Sequence, residues 1–513
     1  MHRAALLLAV MTVMTAAVRG LGVDGDLDHH DAPPRPWEAY QQALATEPRH
    51  ALKLPEGFLL GTATSSYQIE GNWNTSGKGP SVWDDTLHRE PWRTPDRSNG
   101  DEACDSIHLY RRDVEMVKEL GMDTYRISLS WPRILPDGTL ARFSQEGLDY
   151  YEKLVDEILA KGIQPIVTLF HWDLPLTLQQ LGGWSNPAIV DYFEDYARLV
   201  IAKFGDRVKL WVTVNEPFQV CEFGYSDVIM APFYNLQGVG GYLCTHWMLL
   251  AHARVYRMYK KDFAGQNGRM GIAIHSFWFE PANPEDEKDY AAAERGMQFN
   301  LGWTAHPIFV GDYPPVMRAM VDRASADKGL LRSRLPQFTA EEVALIKGSV
   351  DFLGLNHYQS QLAAHNESVP GPSLYRDAKY TGSAHPSWPG YGFTKSTPWG
   401  FGKLLRWVRD SYGNPPVLVT ENGYSDPVQE VRDWDRVEYF KGYMREMLLA
   451  VEDGCNVFGY TAWSLMDNFE WTLGYTMRFG LYHVDFEAPE KTRTPKVSAQ
   501  FLRNVTRDRA VPP

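Results

Sequence analysis

The chain is short of several things that would have named a class of protein. Four cysteines occur in 513 residues, and no Cys or His spacing matches a metal site, so neither a metal nor a cofactor is expected. Positive charge is also scarce: the net charge is −13, and no basic cluster interrupts the acidic balance. That argues against nucleic acid and against anionic membrane surfaces as partners. No run after the first residues approaches the roughly 20 apolar residues of a membrane span. No glycine-rich dinucleotide fingerprint follows the first strand-like run, and no repeat of solenoid length is visible.

Apolar and aromatic residues are plentiful, at 44% and 13%, enough for one large core. The 17 Trp and 26 Tyr exceed what packing alone usually uses, although most will be packing. The start reads as a secretory signal over 1–20, with His2 and Arg3 before an apolar Ala4 to Val18. Residues 21–52 are polar and aperiodic, an expected extension. One domain is expected over 53–505, then a tail over 506–513. Secretion is therefore expected, without a membrane anchor. In that setting Cys221 and Cys244, which flank one loop, could close a disulfide, while Cys104 and Cys455 default to buried thiols. Asn74, Asn366 and Asn504 match the glycosylation acceptor pattern.

Eight strand-like runs alternate with amphipathic helices. The runs are 57–63, 122–130, 163–170, 208–214, 270–276, 350–356, 416–420 and 457–463. Helical spacing covers 105–120, 145–161, 188–203, 241–262, 290–303, 400–411 and 434–452. Near-continuous apolar strands separated by helices imply parallel pairing buried on both faces. Eight such units suit an α/β fold, a single (β/α)8 TIM barrel with elaborated βα loops, better than an open sheet.

Two strand-like runs end in glutamate: KLWVTVNEP delivers Glu216 and PPVLVTENG delivers Glu421. A carboxylate at the mouth of a buried strand is costly unless chemistry uses it. Such barrels keep their active site at the carboxyl ends of the strands. Reading only those ends collects Gln68, Arg126, His171, Trp172, Asn215, Glu216, Asn356, Tyr358, Glu421, Trp463, Glu470 and Trp471. Singly, each has a bland reading: a strand Arg is usually an ion-pair partner, and a lone His-Trp is usually core edge. Together, two carboxyls beside Arg, Asn and Tyr suit glycosidic cleavage, where one faces the sugar carbon and the other protonates the departing oxygen.

The chain resembles glycoside hydrolase family 1, the retaining β-glucosidases, and in particular its secreted animal members. The likeness spans about 53–505. It rests on FLLGTATSSYQIEG (58–71), YRISLSWPRI (125–134), HWDLP (171–175), TVNEP (213–217), FLGLNHY (352–358), VTENG (419–423) and the stretch from Trp463 to Asp485. The resemblance implies that Glu216 is the acid/base and Glu421 the nucleophile. Arg126 and Tyr358 would hold Glu421, and Asn215 would bind the 2-hydroxyl. Gln68, His171, Glu470 and Trp471 would bind the other hydroxyls of a terminal sugar, with Trp463 beneath its ring. Trp172 and Asn356 would be further substrate-facing groups. Phe393 stands where many relatives present a Trp to the leaving group, and Val214 stands where Phe or Leu is commoner. Glu470 argues against a 6-phosphorylated sugar. The expected partner is a small β-glycoside. Two alternatives stay open: a thioglucosidase on the same scaffold, and a silent, klotho-like binding protein, which would typically have lost one or both glutamates.

Overall fold

Strands buried on both faces can satisfy their backbone only by pairing with one another, and here they pair until the sheet closes. In the computed structural model, which describes residues 38, 40, 50–391, 394–427 and 431–513, the barrel strands are β1 (Leu59–Ala63), β2 (Thr124–Ser128), β3 (Gln164–Phe170), β4 (Leu210–Asn215), β5 (Arg269–His275), β6 (Phe352–Asn356), β7 (Val417–Asn422) and β8 (Val457–Trp463). They run parallel in sequence order, and β8 closes the barrel on β1 through Gly459↔Leu59 to Trp463↔Ala63. Each lies within two residues of its expected run. Asn215 and Glu421, expected just past their strands, are the last and next-to-last residues of β4 and β7.

The long helices follow the 3.6-residue pattern: Ser106–Glu119, Gln145–Ala160, Ile189–Phe204, Gly240–Asp262, Pro398–Tyr412 and Trp434–Glu452. The stretch expected as one helix over 290–303 instead runs Glu287–Met297, widens to a π-helical turn at Gln298–Gly302 and resumes as Trp303–Phe309. Helices Pro315–Ala326, Ala340–Ile346 and Val497–Asp508 were not anticipated. Nor was an accessory sheet, in which Ser360–His365 pairs parallel to Trp278–Pro281 and antiparallel to Tyr380–Ser383. It grows from the chain just past β5 and β6 and raises a wall on that side of the barrel mouth.

The inward side chains are sorted by height. Ile166, Leu210, Val212, Ala273, Phe352 and Leu418, all from barrel strands, pack into a cluster of their own with Leu59 and Phe458. This apolar plug fills the barrel's lower interior. Above it the inward positions turn polar.

Residues 506–513, expected as a tail, are structured. The last helix continues to Asp508, and Ala510–Val511 pairs antiparallel with Leu52–Lys53. The pairing also takes in Leu52, one residue ahead of the expected boundary. The pairing joins Leu52 to Val511, 459 residues apart (511 − 52), so no local pattern announces it. The stretch expected as a signal sequence, most of the expected 21–52 extension and Phe393 lie outside the described residues.

Candidate active site

The polar layer above the plug is one hydrogen-bonded network centred on Arg126. This guanidinium projects inward from β2 and is 1% exposed. Its Nε donates to Thr168 Oγ1 (3.1 Å), its Nη2 to Asn215 Oδ1 (2.7 Å), and its Nη1 to the Thr420 carbonyl (3.2 Å) and to Glu421 Oε1 (2.5 Å). Glu421 Oε2 accepts from the Tyr358 hydroxyl at 2.8 Å. Both nucleophile-type oxygens are therefore held by donors, one of them a fixed cation.

Glu216 is held differently. Its Oε1 accepts from the neutral amide of Asn356 at 2.7 Å. The same amide nitrogen lies 3.1 Å from Asn215 Oδ1, and Thr420 Oγ1 donates to Asn356 Oδ1 at 2.5 Å. The two glutamates thus sit at one end of the barrel, linked through Asn356, Asn215 and Arg126. Burial first, and then the negative charge of Glu421, push the Glu216 carboxyl well above the ordinary carboxylate range, against the smaller opposing pulls of Asn356 and Arg126. An acid that keeps its proton and a carboxylate clamped by a cation form the pair that acid-assisted displacement needs.

The backbone at the acid is itself constrained. Glu216 has φ of +51°, a left-handed conformation costing a non-glycine residue about 1 kcal/mol. Its N–H donates to the Ala273 carbonyl of β5 (2.8 Å), and its carbonyl accepts from the Val220 N–H (3.3 Å). Trp172 (φ +78°) and Trp471 (φ +51°) share the left-handed region at the same mouth. At the tip of β7, a side chain on Gly423 would fall 2.0 Å from the Trp463 carbonyl, so the glycine of the VTENG motif lets β7 and β8 meet.

On the side formed by β1, β3 and β8, the remaining expected groups gather through hydrogen bonds and ring contacts. Gln68, on a short helix after β1, donates through Nε2 to Asn468 Oδ1 and the Phe469 carbonyl (each 2.9 Å) and reaches Glu470 Oε2 at 3.3 Å. Asn215 Nδ2 lies 3.2 Å from His171 Nε2, and Trp172 Nε1 donates to the Asn215 carbonyl (3.0 Å). The His171 ring is stacked with Trp463 (5.8 Å) and with Trp471 (6.1 Å). Burial, helped by Arg126, holds His171 well below its ordinary range, so the ring is neutral. Among the described residues its Nδ1 is buried with no hydrogen-bond partner. Burial and the Glu421 charge raise Glu470 to about 8.

Cys221 and Cys244 form a disulfide joining the turn after Glu216 to the helix Gly240–Asp262. Cys104 and Cys455 are free and buried. Asn74 is exposed, whereas Asn366 and Asn504 are partly buried, Asn504 within the last helix. No helix among the described residues is long and apolar enough to cross a membrane, and no described group of His, Cys, Asp and Glu could hold a metal ion. Sequence reasoning missed Thr168, Thr420 and Asn468. The two threonines could have been found by strand alternation, since they occupy inward positions one layer above the plug.

The family model described as Glycosyl hydrolase family 1 matches residues 50–511. Among curated relatives, Myrosinase 1 of Brevicoryne brassicae is 46% identical over 458 residues, covering 88% of this chain and 98% of that protein. The cytosolic beta-glucosidase of Homo sapiens is 41% identical over 463 residues, covering 89% and 98%. Among solved structures, aphid myrosinase superposes with a TM-score of 0.87 at 45% identity, covering 90% of this chain and all of the other. A rice beta-glucosidase gives 0.83 at 39% identity, covering 88% and 99%. The chain belongs to glycosyl hydrolase family 1 and is a hydrolase on that family's (β/α)8 frame.

Proposed function

We propose that the chain is a retaining β-glucosidase that removes a terminal β-D-glucosyl residue from a small glycoside by double displacement. Glu421 attacks the anomeric carbon, and the electron pair of the breaking C–O bond leaves on the aglycone oxygen, which takes the proton of Glu216. A water then gives its proton to Glu216 and its oxygen to the same carbon, and the ester electron pair returns to Glu421. Two inversions leave the configuration unchanged. The observation that carries this reading is the unequal treatment of the two carboxyls: Glu421 lies against Arg126 and Tyr358, Glu216 against a neutral amide. Gln68, His171, Asn215, Glu470 and Trp471 bind the sugar's hydroxyls, and Trp463 lies beneath its ring.

The test is chemical rescue. Glu421→Ala lowers turnover by several orders of magnitude, as loss of a covalent catalyst does. Azide then restores cleavage of an activated aryl glucoside and yields the α-glucosyl azide. A folded variant without rescue, or one giving the β product, overturns the role.

A second reading, hydrolysis of thioglucosides, is favoured by the likeness to a protein named myrosinase. A panel including cellobiose, a cyanogenic glucoside and a glucosinolate separates the two. We also propose that the protein is secreted and glycosylated. The first 20 residues, the disulfide and the exposed Asn74 support this. Protein in the culture medium that shifts in mass on treatment with a peptide N-glycosidase is the expected result.

A further inference from the structure

The tyrosine that holds Glu421 is itself held from behind. Tyr358, whose hydroxyl donates to Glu421 Oε2, lies in the short link 357–359 between β6 and the accessory strand Ser360–His365, in neither strand. A residue in such a link takes its position from whatever bonds its backbone. The Tyr358 carbonyl accepts from the Tyr439 hydroxyl at 2.7 Å and from the Tyr443 hydroxyl at 2.9 Å. A carbonyl oxygen has two lone pairs, so both are filled. The donors stand one turn apart on the helix Trp434–Glu452, fully buried, with their rings stacked at 4.0 Å.

A buried tyrosine needs a partner for its hydroxyl, and many carbonyls would serve. These two converge on one carbonyl and accept further bonds there. The Tyr439 hydroxyl accepts from Asn422 Nδ2 (3.0 Å), the same nitrogen donates to the His357 carbonyl (2.6 Å), and Tyr460 of β8 donates to Asn422 Oδ1 (2.6 Å). The Tyr443 hydroxyl accepts from the Thr397 N–H (3.0 Å), and Thr397 Oγ1 accepts from the Ser360 N–H (2.7 Å). Asn422 is the residue after Glu421, and His357 and Ser360 flank Tyr358. One buried network therefore fixes both partners of the Tyr358–Glu421 hydrogen bond against a single helix, and satisfied polar networks are rigid. In the double displacement proposed above, on which this inference rests, Glu421 has to meet the anomeric carbon from one direction, where small misplacements are costly. We propose that Tyr439 and Tyr443 are positioning residues for the reaction, setting the Tyr358 hydroxyl against Glu421.

The test is a double-mutant cycle on an aryl β-glucoside. Tyr443→Phe removes one hydroxyl and keeps the stacked ring. It is expected to lower kcat/KM about tenfold, part of the worth of a hydrogen bond to a carboxylate, while the inhibition constant of glucose changes less than about twofold. Tyr358→Phe keeps the carbonyl that the two tyrosines hold but has no hydroxyl to place. Adding Tyr443→Phe to it should therefore cost less than about a further twofold. Thermal unfolding shows that the variants are folded, and Tyr439→Phe carries the same cycle if Tyr443→Phe is not. The same fall in both backgrounds overturns the proposal, as does a fall matched by weaker glucose binding, which is what a merely structural tyrosine gives. So does a folded variant with unchanged kcat/KM. Failure of the wild type to cleave any β-glucoside removes the proposed function itself, a result distinct from cleavage without coupling.

Discussion

Glu470→Gln should make the protein more stable while making it a worse enzyme, and by an amount that depends on pH. Burial and the Glu421 charge raise the Glu470 carboxyl from an ordinary 4.5 to about 8. Between those values the folded protein holds a proton that the unfolded chain has released. The sign follows: stability tied to this group is complete below pH 4.5 and is lost as pH rises toward 8. At about 1.4 kcal/mol per pH unit, the cost of keeping the carboxyl is about 3 kcal/mol at pH 7 and below about 1 kcal/mol at pH 5. A glutamine has the same shape, can still accept from Gln68 Nε2, and has no proton to hold. Unfolding entropy for a chain of this size makes 1 kcal/mol worth about 1 °C. The variant should therefore unfold about 3 °C higher than wild type at pH 7 and within about 1 °C of it at pH 5, in scans at one heating rate. In the proposed function Glu470 binds a sugar hydroxyl, so KM for aryl glucosides should rise. Equal differences at the two pH values, or a variant less stable at pH 7, would refute the reasoning.

Glu216→Gln should reduce kcat/KM by two or more orders of magnitude on glycosides with poor leaving groups, and far less on a dinitrophenyl glucoside, which leaves unaided. Equal losses on both, measured as a leaving-group plot, would sink the acid role. Replacing Cys221 and Cys244 together with serine opens a loop of 23 residues. It should cost about 3 kcal/mol and lower the unfolding temperature by about 3 °C, an effect that a reducing agent reproduces in the wild type.

How much of this was legible depended on where the information sits. Buried parallel strands read as apolar runs whatever their neighbours, so all eight barrel strands could be placed. The strand-end rule then led to Arg126, Asn215, Asn356 and Glu421, which the structure brings into one network. The accessory strands WFEP, SQLAAH and YTGS resisted because they are short, mixed in polarity and shaped by tertiary pairing. Thr168 and Thr420 look like ordinary β-formers until alternation is counted from the plug upward. The left-handed turn at Glu216 leaves no trace in residue type, because a glutamate there is chosen for its carboxyl despite its backbone.

In the double displacement proposed above, the charge count at the mouth keeps the two glutamates from exchanging roles. Glu216, Glu421 and Glu470 act on one another electrostatically, and the cation that bears on Glu216 is Arg126. One fixed positive charge in a buried site supports one carboxylate, and its guanidinium is in contact with Glu421. The other two are left to hold protons, Glu216 toward the leaving group and Glu470 toward the sugar. When Glu421 becomes an ester its charge vanishes, and Arg126 then favours the next carboxyl it can reach. The Coulombic push that kept Glu216 protonated is the one removed, so the acid of the first step becomes the base of the second without any side chain having to move.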